Sequence, residues 1–314
     1  MHLMGKWWNT ENVVNREIII LLNAIFNIGP NLFVLITGYY GVHFKVEKLV
    51  HLWSMTLTYT IPMLFMTCFV DSTILDGKLI IHSLFPILTK YKWFITCYII
   101  LLFISPYLNK GIESMQKRHL KYLILVGCVF FVVSPTVLFL SIENDAGKGI
   151  INMTIVYLIG RYLRLYGIPK NLCRHRMLKS LALVTIIFLG NSALTMFAHN
   201  IVGRFAFDSS VFIVLQSILV FSWFIRLDFR NNLINKMAYY CFPLYLFSDF
   251  VWVVFSDEIE SVSNAYICWS VLPMWVAVAV LATVIYENIR KFLMAKIEPK
   301  LVKRFSDLMQ KVTL

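Results

Sequence analysis

Charge is scarce in this sequence: Asp, Glu, Lys and Arg make up 15% of its 314 residues, against about 25% in an ordinary soluble domain. Paired cysteine is missing too. The six cysteines (Cys68, Cys97, Cys128, Cys173, Cys241 and Cys268) stand singly. With no CxxC pair they suggest neither a disulfide framework nor a zinc site, and each reads as a small packing hydrophobe. HExxH, GxSxG, the P-loop and GxGxxG are all absent. Zinc proteolysis, the usual serine-hydrolase elbow, nucleotide hydrolysis and dinucleotide binding therefore have no motif support, and no metal is expected. Residues 1–16 are polar and aromatic with no apolar core, so no secretory signal precedes the first apolar run, which should stay in the mature protein.

Apolar residues are in excess, at 59% of the chain with a mean hydropathy of +0.72, more than a soluble core can absorb. They fall into runs of roughly 17–25 residues, the length a helix needs to cross about 30 Å of hydrocarbon. A transmembrane barrel would alternate apolar and polar residues over about 10 positions. Stretches such as Tyr122–Leu140 and Leu181–Leu189 are instead apolar on every face. The expected architecture is all-α, a polytopic membrane helix bundle. Its spans lie at roughly 17–41, 49–70, 93–108, 120–141, 149–167, 178–199, 209–226, 238–256 and 267–286. Residues 1–286 form one transmembrane domain, and 287–314 a basic tail in which basic and apolar residues alternate as on an amphipathic helix at a membrane surface. Between the second and third spans, Leu79–Leu88 is apolar but too short to cross and carries Pro86, which suggests a re-entrant or interfacial segment.

The 29 Lys and Arg residues divide unevenly over the loops. Alternate loops and the tail hold 22 of them, including Arg161, Arg164, Lys170, Arg174, Arg176 and Lys179; the opposite loops hold seven. Cytoplasmic loops retain positive charge, so the tail is expected in the cytoplasm and residue 1 outside, in the cytoplasmic (inner) membrane. This explains the net charge of +12 by topology. The bases are spread over many short loops, so nucleic acid is not an expected partner. Membrane lipid is.

The first span contains Asn27-Ile28-Gly29-Pro30-Asn31. Proline removes a backbone donor and clashes with the preceding turn, so a kink is expected there. Asn27 and Asn31, four residues apart, share a face and with Thr37 offer hydrogen-bonding groups where lipid offers none. They either line a polar passage or are satisfied by a neighbouring helix.

Three stretches carry a resemblance. Asn31-Leu32-Phe33-Val34-Leu35-Ile36-Thr37-Gly38-Tyr39 resembles the Phe-Phe-x-x-Ser-Gly signature of the acyltransferase 3 family, multispanning enzymes that O-acylate cell-surface carbohydrates. Trp93-Phe94, Tyr98 and Ser105-Pro106-Tyr107-Leu108-Asn109 are similar to that family's Trp-Phe-x-x-x-Tyr followed by Ser-Pro-x-Leu-Asn. Tyr157-Leu158-Ile159-Gly160-Arg161-Tyr162-Leu163-Arg164 resembles its Tyr-x-x-Gly-Arg-Tyr-x-Arg run. The likeness covers roughly residues 20–290. Two departures accompany it. Family members usually have ten spans and begin with a helix bearing an Arg and the His taken as essential for acyl transfer. This chain is expected to start after that helix, leaving His2 as the nearest His. Later, where the family often reads Tyr-Leu-Ile-His-Glu, this chain has Tyr245-Leu246-Phe247-Ser248-Asp249.

The resemblance implies a membrane O-acyltransferase, an O-acetyltransferase foremost. It would move an acyl group from cytoplasmic acetyl-CoA or another acyl-CoA to a hydroxyl of an exported polysaccharide or lipid-linked oligosaccharide. Arg161 and Arg164 share a helical face and, with Arg174 and Arg176, suit the phosphates of the donor; anionic lipid headgroups are the competing occupant. His2, His199 and Asp249 are the candidate catalytic groups. His199 could act as a base at an outward-facing acceptor, and a lone carboxylate such as Asp249 needs a polar cavity or a partner. Trp93 stands at the outer start of a span, either in an interfacial aromatic belt or stacked on sugar. Two other readings stay open: a transporter or flippase for an envelope lipid or polysaccharide, against which counts the lack of an internal repeat, and a catalytically inactive truncated family member.

Overall fold

The computed structural model describes residues 12–70, 76–197, 203–228, 231–263 and 268–312. His2 and His199 lie outside the described residues, as do Trp7 and Trp8. The elements are α1 (Val13–Phe26), α2 (Gly29–Tyr40), α3 (Val46–Val70), α4 (Gly77–Leu84), α5 (Trp93–Ser114), α6 (Lys117–Cys128), α7 (Ile150–Tyr166), α8 (Lys170–Cys173), α9 (Arg176–Phe197), α10 (Val211–Phe224), α11 (Asn232–Ser263), α12 (Cys268–Met294) and α13 (Ile297–Val312). No strand occurs among the described residues. Seven helical stretches among them are long and apolar enough to cross a membrane. The other two expected spans are also helical, as the 17 residues of α7 and the 32 of α11. The fold is thus an all-α polytopic membrane bundle.

Helices overrun the apolar runs at several ends. α5 continues to Ser114 and α12 to Met294, past the expected limits of 108 and 286. A helix closes its own backbone hydrogen bonds, so it does not stop where the side chains become polar. The expected break is there: α1 and α2 are separated by a turn at Asn27 and Ile28, with Pro30 in the first turn of α2, where its missing N–H costs nothing. A second irregularity was not legible. α6 runs on as a π-helix over Val129–Leu138 around Pro135, whose ring cannot fit a regular ladder. The short segment after α3 holds the eight-residue α4, capped by Asp76, whose Oδ1 accepts from the Leu79 N–H at 2.6 Å.

The chain divides into two compact units. The first comprises Glu17–His43 and Cys97–Phe229. Here α2 packs on α7 and α10, α10 packs on α9, and Ala24, Ile187, Ala206 and Ile213 form a buried apolar cluster. The polar groups of the kink turn inward: Asn27 donates to the carbonyl of Ala206, and Asn31 to that of Asp208 at 2.8 Å. Both amides are thus satisfied by the segment that precedes α10.

The second unit is built mainly from Phe44–Thr96 and Arg230–Leu314, with α3 against α4, α11 and α13, and α12 against α11 and α13. Its centre is polar. Glu287, fully buried, accepts from Tyr59 (2.9 Å), Tyr239 (3.2 Å) and both Nε and Nη2 of Arg290 (2.7 and 2.8 Å). Arg290 donates in turn to Glu298 of α13 at 2.9 Å, and Glu298 also accepts from Ser54 at 2.8 Å and lies 3.3 Å from His51 Nδ1. Burial pushes the Glu298 carboxyl up, but the hydrogen bonds from Ser54, Arg290 and His51 outweigh it and hold the group below the usual glutamate range. A depressed folded-state pKa contributes stability that is present above the unfolded value and is lost as pH falls through the folded one. The protection of the Ile297–Val312 amides, taken as exchange relative to the intrinsic rate at each pH, is therefore expected to fall between pH 7 and pH 3 in the wild type and to change less in Glu298→Gln. Equal pH dependence in the two proteins would show that Glu298 does not hold α13.

Candidate functional site

In the first unit, residues from each of the three motif stretches meet, the second stretch contributing Tyr98 and Asn109. A Cβ on Gly38 would lie 2.3 Å from the Tyr157 carbonyl oxygen, and one on Gly160 would lie 2.6 Å from that of Leu35. The backbones of α2 and α7 are therefore in direct contact, as small residues at a membrane helix crossing permit. This closeness sets up a ring of hydrogen bonds. The fully buried Tyr157 donates its O–H to Asn109 Oδ1 at 2.7 Å, Asn109 Nδ2 donates to the Val42 carbonyl at 2.9 Å, and the Val42 N–H points back to the Tyr157 hydroxyl at 3.4 Å. Every bond of the ring joins groups far apart in sequence, so the ring ties the end of α2 to α5 and α7. On the neighbouring face, Phe33 meets Tyr98 edge-on at 5.5 Å, and the Thr37 hydroxyl donates to the Phe33 carbonyl at 2.8 Å.

One turn beyond Tyr157, Arg161 reaches the residue after α2. Its Nη1 lies 2.9 Å from where a Cβ of Gly41 would sit, and Gly41 has φ +75°. Glycine is needed there twice, for the left-handed backbone and for the space the guanidinium occupies. The Arg161 Nε is buried without a hydrogen-bond partner, an unsatisfied charged donor that an anion would complete. Arg164, on the same face, is exposed and stands 5.2 Å above the Tyr39 ring. Arg174 is exposed beside His175, and Arg176 lies 5.8 Å from the Trp223 ring on α10. Arg161 and Arg164 thus face the end of α2, while Arg176 faces α10.

In the second unit, Trp93 packs edge-on against Phe94 at 5.5 Å. Asp249 has an ionic partner in Lys92, whose side chain is buried. Sequence reading placed Lys92 in a loop and did not pair it. It also passed over Asn109, which stood inside a quoted motif, and Asp208, a buried acid at the start of α10 whose Oδ1 has no hydrogen-bond partner. An isolated acid or amide beside an apolar run was the available signal. Among the described residues, no group of His, Cys, Asp and Glu is placed to hold a metal ion. A family model described as an acyltransferase domain matches residues 2–286. No curated protein and no solved structure matches the chain.

Proposed function

The chain belongs to the acyltransferase 3 family and is a membrane acyltransferase that transfers groups other than amino-acyl groups; from that premise we propose that it carries an acyl group, acetyl foremost, from acyl-coenzyme A to a hydroxyl of an exported polysaccharide or lipid-linked oligosaccharide. The observation that supports this reading best is the end of α7. Arg161 presents a buried unpaired Nε, and Arg164 stands on the same face. Guanidinium binds phosphate in two-pronged fashion, which suits the donor's diphosphate and ribose phosphate. The uneven distribution of Lys and Arg supports a cytoplasmic position for this end and for the C-terminus, the side where acyl-coenzyme A is found.

In the reaction, the acceptor hydroxyl attacks the thioester carbonyl. A base takes the hydroxyl proton, and hydrogen-bond donors hold the oxyanion of the tetrahedral intermediate before the coenzyme thiolate leaves and is protonated. His2, His199 and Asp249 are the candidates for the base, with Asp249 held by Lys92. The test is binding of labelled acetyl-coenzyme A to the purified protein. Arg161→Ala is expected to weaken binding at least tenfold with unchanged yield and melting temperature, a loss of about 1.4 kcal/mol or more. Binding equal to wild type would remove the arginine from the donor site.

A further inference from the structure

A second feature of the first unit lies where α9 begins and α10 ends: a cleft of about 190 Å³ lined by Arg176, Met177, Ser180, Leu219, Val220 and Trp223. We propose that this cleft is a binding site for an anionic phospholipid, with the headgroup phosphate at Arg176 and the start of an acyl chain along Met177, Leu219 and Val220. The Arg176 guanidinium sits 5.8 Å from the centre of the Trp223 ring, which keeps the charge at the cleft rather than extended into solvent. It stands on the first residue of α9, where unsatisfied backbone N–H groups add positive potential.

The surroundings of the cleft separate the two anionic occupants that Arg176 could serve. Drug-sized ligands fill about 300–1,000 Å³, and coenzyme A is larger than most of them. A cleft of about 190 Å³ holds a phosphate and a few methylenes and leaves the remainder of the molecule outside. The surroundings favour a remainder that is lipid. Met177, Leu178 and Leu181 on α9 are 66%, 67% and 63% exposed, and Phe224 on α10 is 54% exposed. An apolar surface of this kind beside a membrane-length helix is covered by acyl chains, and Trp with Arg is the pair that marks the headgroup level. The site is independent of the donor reading: Arg161 and Arg164 face α2, and the cleft would exist whatever α7 binds.

The test is native mass spectrometry of the full chain released from nanodiscs of equal phosphatidylglycerol and phosphatidylcholine. Wild type is expected to retain one phosphatidylglycerol at least fivefold over phosphatidylcholine. Arg176→Gln is expected to abolish the preference, and Val220→Trp, which fills the cleft while keeping the charge, is expected to release the bound lipid. Lys179→Gln, a neighbouring charge outside the cleft, should keep it. Equal retention of the two lipids by wild type, or an undiminished preference in a folded Arg176→Gln or Val220→Trp protein, would overturn the assignment. So would displacement of the lipid by acetyl-coenzyme A, which would transfer the cleft to the donor.

Discussion

Glu287→Ala is expected to destabilise the protein by about 3–5 kcal/mol, the usual cost of stripping one partner from a buried ion pair. The carboxylate has no exposed surface and receives hydrogen bonds from Tyr59, Tyr239 and two nitrogens of Arg290. Its removal leaves the buried Tyr59 hydroxyl, and the hydroxyl of the more exposed Tyr239, without their acceptor. Arg290, 4% exposed, is left with Glu298 as its remaining carboxylate. Unfolding in detergent, followed by near-ultraviolet circular dichroism, measures the loss. The paired replacement Glu287→Leu with Arg290→Leu separates charge from packing. Because the desolvation cost of both ions disappears together, the double variant is expected to be more stable than Glu287→Ala. A single variant within 0.5 kcal/mol of wild type would mean that the cluster is hydrated and contributes little.

The second large effect lies at the crossing of α2 and α7. Gly38→Ala and Gly160→Ala each place a methyl within 2.3–2.6 Å of a backbone carbonyl oxygen. Backbone in a packed helix cannot rotate aside as a side chain can, so the helices must separate. Overpacking of this kind costs about 1–3 kcal/mol for one methyl, and larger side chains cost more. The separation also pulls Tyr157 from Asn109 and moves Arg161, so acyl transfer is expected to fall at least tenfold even in the folded fraction. Gly111→Ala is the internal comparison: nothing lies within 4 Å of its added Cβ, and alanine in an open helical position stabilises by up to about 1 kcal/mol. Thermal melting with a transfer assay on all three variants decides it. Gly38→Ala and Gly111→Ala behaving alike would show that the crossing is looser than the distances indicate.

Different physics governs what could be read in advance. Asn27, Gly29, Pro30 and Asn31 announced the break between α1 and α2 because proline's missing N–H acts locally. The same local rule did not show what would receive the asparagine amides, since Ala206 and Asp208 lie about 180 residues away. Glu287 and Arg290 were assigned to the tail because charge normally ends an apolar run. Their burial follows from mutual neutralisation and from phenol groups supplied by α3 and α11. The arginines were grouped by nearness in sequence, and the packing of α7 on α2 and α9 on α10 sends them to different neighbours.

Composition and run length alone were enough to require a helical membrane bundle, because hydrocarbon tolerates only backbone that satisfies its own hydrogen bonds and only runs long enough to cross. The order of the three motif stretches was enough to place the chain in its family. Which polar residues complete one another was settled by packing: Tyr157 with Asn109, Glu287 with Arg290 and Lys92 with Asp249 are partners far apart in sequence or hidden at a helix end. The physical reason is that in a medium without water a polar side chain must find its complement inside the protein, and helix crossings, such as the glycine contact of α2 with α7, choose which complement is within reach.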